Sequence, residues 1–272
     1  MFKNSVSGGL CAALLATIPT LLEATEARSG FLPNEAPQIA AEVLTRQADA
    51  NELLFVNLHS FVCDERVERF RGSGNSDGKT RHLDTLTAQV SFENGVEHYA
   101  DVRQNTRVRP GFSSLAGAWS EGEFGTLLGQ TRQLLRVERP KWTGNVELNG
   151  EAAAVFTFAV PEDDSPWELI IDGAQYRIPF QTDVWISVAT GKILKVLRNA
   201  SGLPAALGIS HIEWSVMLQP VSVHEAKWLV PSEAEYSVSY TGLDRREWNQ
   251  ITFSNYRRYG SESNLRFDGA GQ

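Results

Sequence analysis

Apolar and polar residues alternate along most of the chain, which is the period of β-strands with one buried and one solvent-exposed face. From 86 to 92 the sequence reads LTAQVSF, so every second residue is apolar. Asn94-Gly95, Asn149-Gly150 and Asp172-Gly173 separate such runs, and these residue types tolerate the positive φ of hairpin turns. The steady spacing predicts an antiparallel meander with strands at 61–70, 83–92, 96–103, 142–148, 152–160, 167–171, 175–180, 184–188, 192–198, 209–218, 234–240 and 248–256.

Two segments follow the helical period instead. Apolar residues recur at that spacing within 37–60, and Pro37 suits a first helical turn. Ser120 and Glu123 match a capping box, in which the Ser side chain accepts a backbone amide and the Glu side chain reaches back. This predicts a helix over 120–136 with one apolar stripe. Such a helix is either a permanent part of the core or a movable cover over a cavity.

The N-terminal segment has the features of an export signal. Lys3 provides a positive start, 6–22 is apolar or small, and small residues precede a cut after Ala27. A retained amphipathic anchor is the alternative. The predicted organisation is a signal peptide at 1–27, an N-terminal helical segment at 28–60, an antiparallel domain at 61–260 and a flexible tail at 261–272. We therefore expect an exported protein, periplasmic or secreted, with no integral membrane span.

Charge and cysteine content narrow the partners and cofactors. Lys and Arg number 25 against 33 Asp and Glu, a net charge of −8 without a basic run, so we expect no nucleic-acid partner. The two cysteines are Cys11, inside the predicted signal, and Cys63 in a predicted strand. One remaining thiol supports neither a disulfide framework nor a Cys-based zinc site. We expect Cys63 to be buried as a small apolar residue, with an intermolecular disulfide as the alternative.

Candidate catalytic and metal-binding motifs do not have the sequence context that they require. Ser76 lies in a Gly-x-Ser-x-Gly match at 74–78, but a strand follows it where a nucleophile elbow needs a helix. The five His residues show no metal-ligand spacing, and the acidic 162–164 run reads as a solvated loop. The chain contains no phosphate-binding Gly-rich loop. These patterns predict neither an enzyme nor a metal or cofactor site.

Two late motifs carry a resemblance to a known family. The first, 183–195, is a strand, a turn ending in Thr190-Gly191 and a second strand. The second begins with Trp228-Leu229-Val230-Pro231 and runs through 235–240 to 251–256. With the signal segment, the N-terminal helix and the meander, they resemble the periplasmic outer-membrane lipoprotein-sorting (Lol-type) carriers and exported bacterial proteins of the same half-barrel plan. The resemblance covers about 155–259.

The resemblance implies a mainly β (α+β) fold, a curved antiparallel sheet forming an open half-barrel with a helical cover. It implies noncovalent binding of an acyl chain, a lipid or a lipidated protein in the half-barrel. An envelope scaffold with a filled core, using a protein partner and no ligand, is the alternative, and a secreted hydrolase is a further one. Aromatic residues concentrate on the predicted strands, and the residues that we expect to contact a ligand are Phe124, Leu127, Leu128, Phe156, Phe158, Trp214, Val216, Tyr236, Tyr240 and Phe253.

Overall fold

The computed structural model describes residues 36–73, 80–223 and 225–258. The predicted signal peptide, Ser76 with its motif, and the predicted tail lie outside the described residues. The described part contains helices α1 (Ala36–Leu58) and α2 (Thr126–Val137), and no helix in it is long and apolar enough to cross a membrane. Its strands are β1 (Phe61–Gly72), β2 (Arg81–Glu93), β3 (Val96–Gln104), β4 (Arg107–Val108), β5 (Lys141–Leu148), β6 (Glu151–Val160), β7 (Glu168–Ile171), β8 (Ala174–Arg177), β9 (Phe180–Ser187), β10 (Ile193–Ser201), β11 (Ile209–Val223), β12 (Ala226–Tyr240) and β13 (Arg246–Arg258).

Eleven of these strands form one antiparallel sheet in the order β4-β3-β2-β1-β13-β12-β11-β10-β9-β6-β5. The sheet is curved and not closed, and β7 pairs with β8 as a separate hairpin between β6 and β9. The pairing of β1 with β13, with Val67 opposite Ile251, joins two meanders into one sheet. The predicted class, a mainly β fold with a curved antiparallel sheet and helices beside it, is confirmed.

The predicted hairpin turns lie where the sequence indicates. Asn94, Asn149 and Asp172 adopt φ of 53°, 52° and 50°, and each is followed by a Gly with positive φ. Two-residue turns of this geometry match the right-handed twist of the strands that they join. They therefore fix the registers of β2 with β3, of β5 with β6 and of β7 with β8.

Both helices pack on one face of the sheet, which we call the covered face. Asn51 of α1 donates to the Gly191 carbonyl at 2.9 Å and accepts from the Ile193 amide at 2.8 Å. Phe124, just before α2, lies with its ring centroid 5.8 Å from that of Phe253. The opposite face carries a smaller apolar cluster around Trp185. The main core therefore lies between the sheet and the helices.

The predicted start of the second helix is wrong. The helix begins at Thr126, Gly125 is its N-cap residue, and no side chain of its own caps it. Ser120 and Glu123 therefore both precede the helix, and Glu123 Oε1 accepts a hydrogen bond from Trp214 Nε1 at 2.9 Å. The apolar stripe is confirmed, since the buried positions of α2 are Leu127, Leu128, Gly129, Thr131, Leu134 and Leu135.

Candidate functional site

A cavity of about 630 Å³ lies on the covered face. One wall is formed by β11 and β12, the roof by the 115–121 loop and the first turns of α2, and the remaining side by 166–172, which includes β7. Its volume falls within the range of about 300–1,000 Å³ that is typical of small-ligand sites. The apolar residues that line it are Leu115, Ala118, Trp119, Pro166, Trp167, Leu169, Ile170, Ile171, Leu207, Ile209, Trp214, Tyr236, Val238 and Tyr240. Its polar lining residues are Ser120, Glu121, Thr126, Gln130, Glu168 and Asp172.

Aromatic rings that contact one another in tilted and edge-on arrangements form part of the cavity lining. The ring centroids of Trp167 and Trp214 are 5.6 Å apart, and Trp167 also meets Phe180 edge-on at 5.6 Å. The Trp214 ring in turn lies perpendicular to that of Tyr236. Trp167 is fixed because its amide donates to Ser165 Oγ and its carbonyl accepts from the Ile178 amide. The alternation of aromatic residues on strands signalled this surface, whereas the contribution of Trp167 depends on how the β7–β8 hairpin folds over the sheet.

The ten predicted ligand-contacting residues divide into two groups. Trp214, Tyr236 and Tyr240 line the cavity. The other seven lie outside its lining and are buried in the main core: Phe124, Leu127, Leu128, Phe156, Phe158, Val216 and Phe253. Of these seven, Phe158 borders a separate cavity of about 520 Å³ beside the C-terminal end of α2.

The 115–119 part of the roof is attached to the sheet by buried charged groups. Arg69 of β1 donates to the Ala116 carbonyl at 2.9 Å while its other nitrogens pair with Asp84 of β2. Glu247 of β13 accepts from the Ala118 amide at 2.8 Å and pairs with Arg71. These contacts fix one side of the roof, so any opening would involve α2 rather than this loop.

The N-terminus of α2 is capped by a residue from a different element, Glu97 of β3. Its Oε1 accepts from the amides of Gly125 and Thr126 at 2.7 and 2.9 Å, and its Oε2 accepts from the Gly122 amide at 3.1 Å. The hydroxyl of Tyr99 also donates to Oε2. A carboxylate at this position satisfies free amides and interacts favourably with the helix dipole. The sequence gives no local signal of this contact, because the cap lies 28 residues before Gly125.

Two more carboxyl groups are buried near Glu97. Glu123 is 1% exposed; burial, and then the charge of Glu97, raise its pKa to about 7. Burial and the charges of Glu123 and Glu97 raise the pKa of Glu65, on β1, well above its usual value. The described residues contain no group of three or more His, Cys, Asp or Glu side chains arranged to hold a metal ion. The burial and mutual repulsion of these carboxyl groups thus favour the protonated forms of Glu65 and Glu123.

At the other end of the cavity wall, Arg198 of β10 is fully buried. Its Nη1 donates to Gln130 Oε1 of α2 at 2.7 Å, and Gln130 Nε2 donates to the Pro166 carbonyl at 3.4 Å. Arg198 is not among the site residues predicted from the sequence. A signal was available, however, because Arg198 occupies the apolar phase of its strand between Val196 and Ala200.

The prediction that Cys63 is a buried small apolar residue is confirmed. Its side chain is fully buried, and burial, followed by the charge of Glu65, raises the pKa of the thiol strongly. A thiol with a raised pKa is a poor nucleophile because the thiolate is the reactive form. Cys63 is therefore a structural residue of the fold.

Comparison with known proteins gives matches by structure. No family model matches the chain, and no curated protein matches it in sequence. A proposed outer membrane lipoprotein-sorting protein domain from Vibrio parahaemolyticus is 12% identical over 86% of this chain and 97% of that chain, with a TM-score of 0.34. A DUF1329 family protein from Desulfovibrio piger is 11% identical over 83% and 97%, with a TM-score of 0.40. The Mycobacterium tuberculosis lipoprotein LppX is 14% identical over 81% and 95%, with a TM-score of 0.26. The structures to which the chain is similar include a lipoprotein-sorting domain, the class that the sequence motifs resemble.

Proposed function

We propose that this chain is an exported binding protein that holds an acyl chain, a lipid or the acyl group of a lipidated protein noncovalently on its covered face, without catalysing a reaction. The single observation that carries the proposal is the aromatic and aliphatic lining of the 630 Å³ cavity. Concave apolar surfaces with a few polar groups at their margins are the usual form of small-ligand sites. The export component rests on the features of 1–27, and the antiparallel domain at 61–260 is the proposed binding unit.

The energetics favour a flexible chain as the occupant. Each buried methylene contributes about 0.8 kcal/mol, so ten of them contribute roughly 8 kcal/mol. This gain is opposed by the loss of translational and rotational freedom on association, about 4–15 kcal/mol, and by any opening of the cover. A longer chain would therefore bind more tightly as long as the cavity can extend. Extension beneath α2 would bring core residues of the helix region, such as Phe124 and Leu127, into contact with it.

The first test is native mass spectrometry of the protein purified from the compartment to which it is exported, followed by organic extraction of any bound molecule. The proposal predicts an acyl-containing mass at near-stoichiometric occupancy, or uptake of added dodecanoate by the apo protein. A clean apo mass together with no binding of added amphiphiles would contradict it. The protein would then be better described as an envelope scaffold with a filled core and a protein partner.

A pair of tryptophan substitutions provides the site-specific test. Leu207 lines the cavity and is only partly buried, so Leu207→Trp should fill the cavity with little effect on the core. Leu243, in the turn between β12 and β13, is 57% exposed and lies outside the cavity lining. We expect Leu207→Trp to lower amphiphile affinity by about tenfold or more, because it removes the volume of several methylenes, and Leu243→Trp to leave it unchanged. Equal affinities in the two variants would locate binding elsewhere.

A further inference from the structure

The second proposal concerns Arg198 and rests on the cavity being a ligand site, as proposed above. Arg198 lies on the covered face of β10, opposite Trp214 of β11, and its side chain is fully buried. Its guanidinium carbon lies 4.7 Å from the ring centroid of Phe180 and 5.8 Å from that of Trp214. A guanidinium between aromatic rings is held in a defined plane, which is a property of anion-recognition sites.

The hydrogen bonds of Arg198 are incomplete on one edge. Nη1 donates to Gln130 Oε1, whereas Nε and Nη2 are buried and have no hydrogen-bond partner among the described residues. Burial alone accounts for the lowered pKa of Arg198, about 9, so the group is cationic at neutral pH. No ion pair within the described residues includes Arg198. A buried cation of this kind is stabilised by any anion that can reach it.

Elsewhere in the same protein, Arg69 binds a carboxylate through the Nε and Nη2 atoms of its guanidinium, the two atoms that in Arg198 have no hydrogen-bond partner among the described residues. Its Nε donates to Asp84 Oδ1 at 2.6 Å and its Nη2 to Asp84 Oδ2 at 2.7 Å. Two parallel N–H groups match the two oxygens of a carboxylate, and such bidentate pairs are the strong form of this interaction. In Arg198 the same pair of nitrogens is unpartnered. A planar anionic group such as a carboxylate would therefore accept hydrogen bonds from both of these nitrogens.

Gln130 connects Arg198 to the cavity. Its side chain is part of the cavity lining and contacts Arg198 directly, and Trp214 likewise lies both in the lining and against the guanidinium. Gln130 and Trp214 thus lie between the cavity and Arg198. Gln130 is the only hydrogen-bonded partner of Arg198 among the described residues, so a head group that approaches the guanidinium from the cavity would have to displace the Gln130 side chain.

We propose that Arg198 binds the anionic head group of an amphiphile whose chain occupies the cavity, and that a fatty-acid carboxylate is the preferred form. The ligand class is thereby narrowed from apolar chains in general to single-chain acids. A neutral head group of the same chain length leaves the Nε and Nη2 donors unpaired and binds more weakly. Since discrimination arises from an unpaired buried polar group, it exceeds what chain contacts alone provide.

The experiment compares dodecanoate with dodecan-1-ol at neutral pH, using the change in the intrinsic tryptophan fluorescence of the protein, to which Trp167 and Trp214 in the cavity lining contribute. We expect the unaltered protein to bind dodecanoate about tenfold or more tightly than the alcohol, as for the loss of one charge-assisted hydrogen-bonded pair. Arg198→Met should abolish this preference and leave the affinity for the alcohol within about twofold. Lys195→Met is the matched control, because Lys195 lies on the same strand with its ammonium over Trp185 on the opposite face.

A second variant does not depend on removing the buried charge. Gln130→Glu places a carboxylate of nearly the same shape against Arg198 Nη1, which should raise the melting temperature and lower the affinity for dodecanoate by a larger factor than the affinity for dodecan-1-ol. Dodecanol and dodecanoate binding with equal affinity to the unaltered protein would overturn the head-group proposal and leave the proposed function standing. Dodecanoate preference retained in Arg198→Met would also overturn it. Failure of both ligands to bind the unaltered protein would overturn the proposed function as well.

Discussion

The cap that β3 provides for α2 leads to a test of whether that helix is a movable cover or a fixed part of the core. Glu97→Ala removes the acceptor of three backbone amides, those of Gly122, Gly125 and Thr126. Loss of a helix cap costs about 0.5–2 kcal/mol, and hydrogen bonds to a charged group contribute about 1.5–3 kcal/mol each.

One effect opposes this loss. The charge of Glu97 raises the pKa of Glu123 and of Glu65, so its removal relieves a repulsion between buried carboxyl groups. Water also reaches the freed amides when the first turn of the helix frays. We therefore expect a net loss of about 2–4 kcal/mol in the free energy of unfolding for Glu97→Ala. Glu97→Gln, which retains one acceptor oxygen, should lose about half as much.

The assay combines urea unfolding with amide hydrogen exchange of the same samples. If α2 is a cover that opens by itself, Glu97→Ala should increase the exchange rate of the α2 amides by a factor at least about tenfold larger than the factor by which it increases the rates in β11 and β12. Equal acceleration in helix and sheet would mean that α2 unfolds only with the whole domain and belongs to the core. Glu147→Ala, at an exposed position of β5, is the control for removing a carboxylate. A change below about 0.5 kcal/mol in Glu97→Ala would refute the capping argument itself.

Three further predictions concern protonation, reactivity and packing. Because the folded-state pKa of Glu123 is raised from 4.5 to about 7, its contribution to stability is fully present below pH 4.5 and lost as the pH rises through about 7. Urea unfolding of Glu123→Gln should therefore show a smaller decline between these pH values, by up to about 3 kcal/mol, and an unchanged decline would contradict the assignment. Cys63 should react with a thiol reagent only after unfolding, so stoichiometric labelling of the native protein would be contrary evidence. Gly129→Ala should destabilise the protein by about 1–2 kcal/mol in thermal unfolding, because the new Cβ would lie 2.6 Å from Phe55 Cε2 of α1. This cost outweighs the better helix propensity of Ala. A stabilised variant would show that the two helices can separate freely.

The elements of the fold were predictable from the sequence because each depends on neighbouring residues. The alternation at 86–92 places Leu86 and Phe92 on one buried face, as observed in β2. Asn149 and Gly150 form a turn because both residue types tolerate positive φ, which is a property of these two residues alone. The β1–β13 pairing was beyond such reasoning, because nothing in the local pattern of β1 specifies a partner nearly 200 residues away. Strand β12 was predicted to start at 234 but starts at Ala226, where Trp228 and Leu229 are only partly buried and the alternation is weak.

The candidate site was less predictable than the fold. Its aromatic strand residues, such as Trp214 and Tyr236, follow from alternation alone. The roles of Glu97 and Arg198 do not, because both depend on where α2 lies on the sheet. The two glycines of the helix region show the same limit: by propensity they weaken a helix, yet a Cβ at Gly125 would lie 2.7 Å from the Phe92 ring. Close packing of the cover on the sheet accounts for this Gly, and sequence spacing could not show it.

The placement of charge around α2 connects the cover with the proposed ligand. The helix begins on the carboxylate of Glu97, beside the raised-pKa groups Glu65 and Glu123, and further along its length Gln130 contacts the buried cation Arg198. Glu97 favours closure of the helix as its cap, whereas burial of Glu65, Glu123 and Arg198 opposes closure, because opening would return these three groups to water. An anionic head group on Arg198 removes one of these opposing contributions, whereas an alcohol does not. Dodecanoate should therefore slow hydrogen exchange of the α2 amides more than dodecan-1-ol does at equal occupancy, and equal protection by the two ligands would separate closure of the cover from the charge of Arg198.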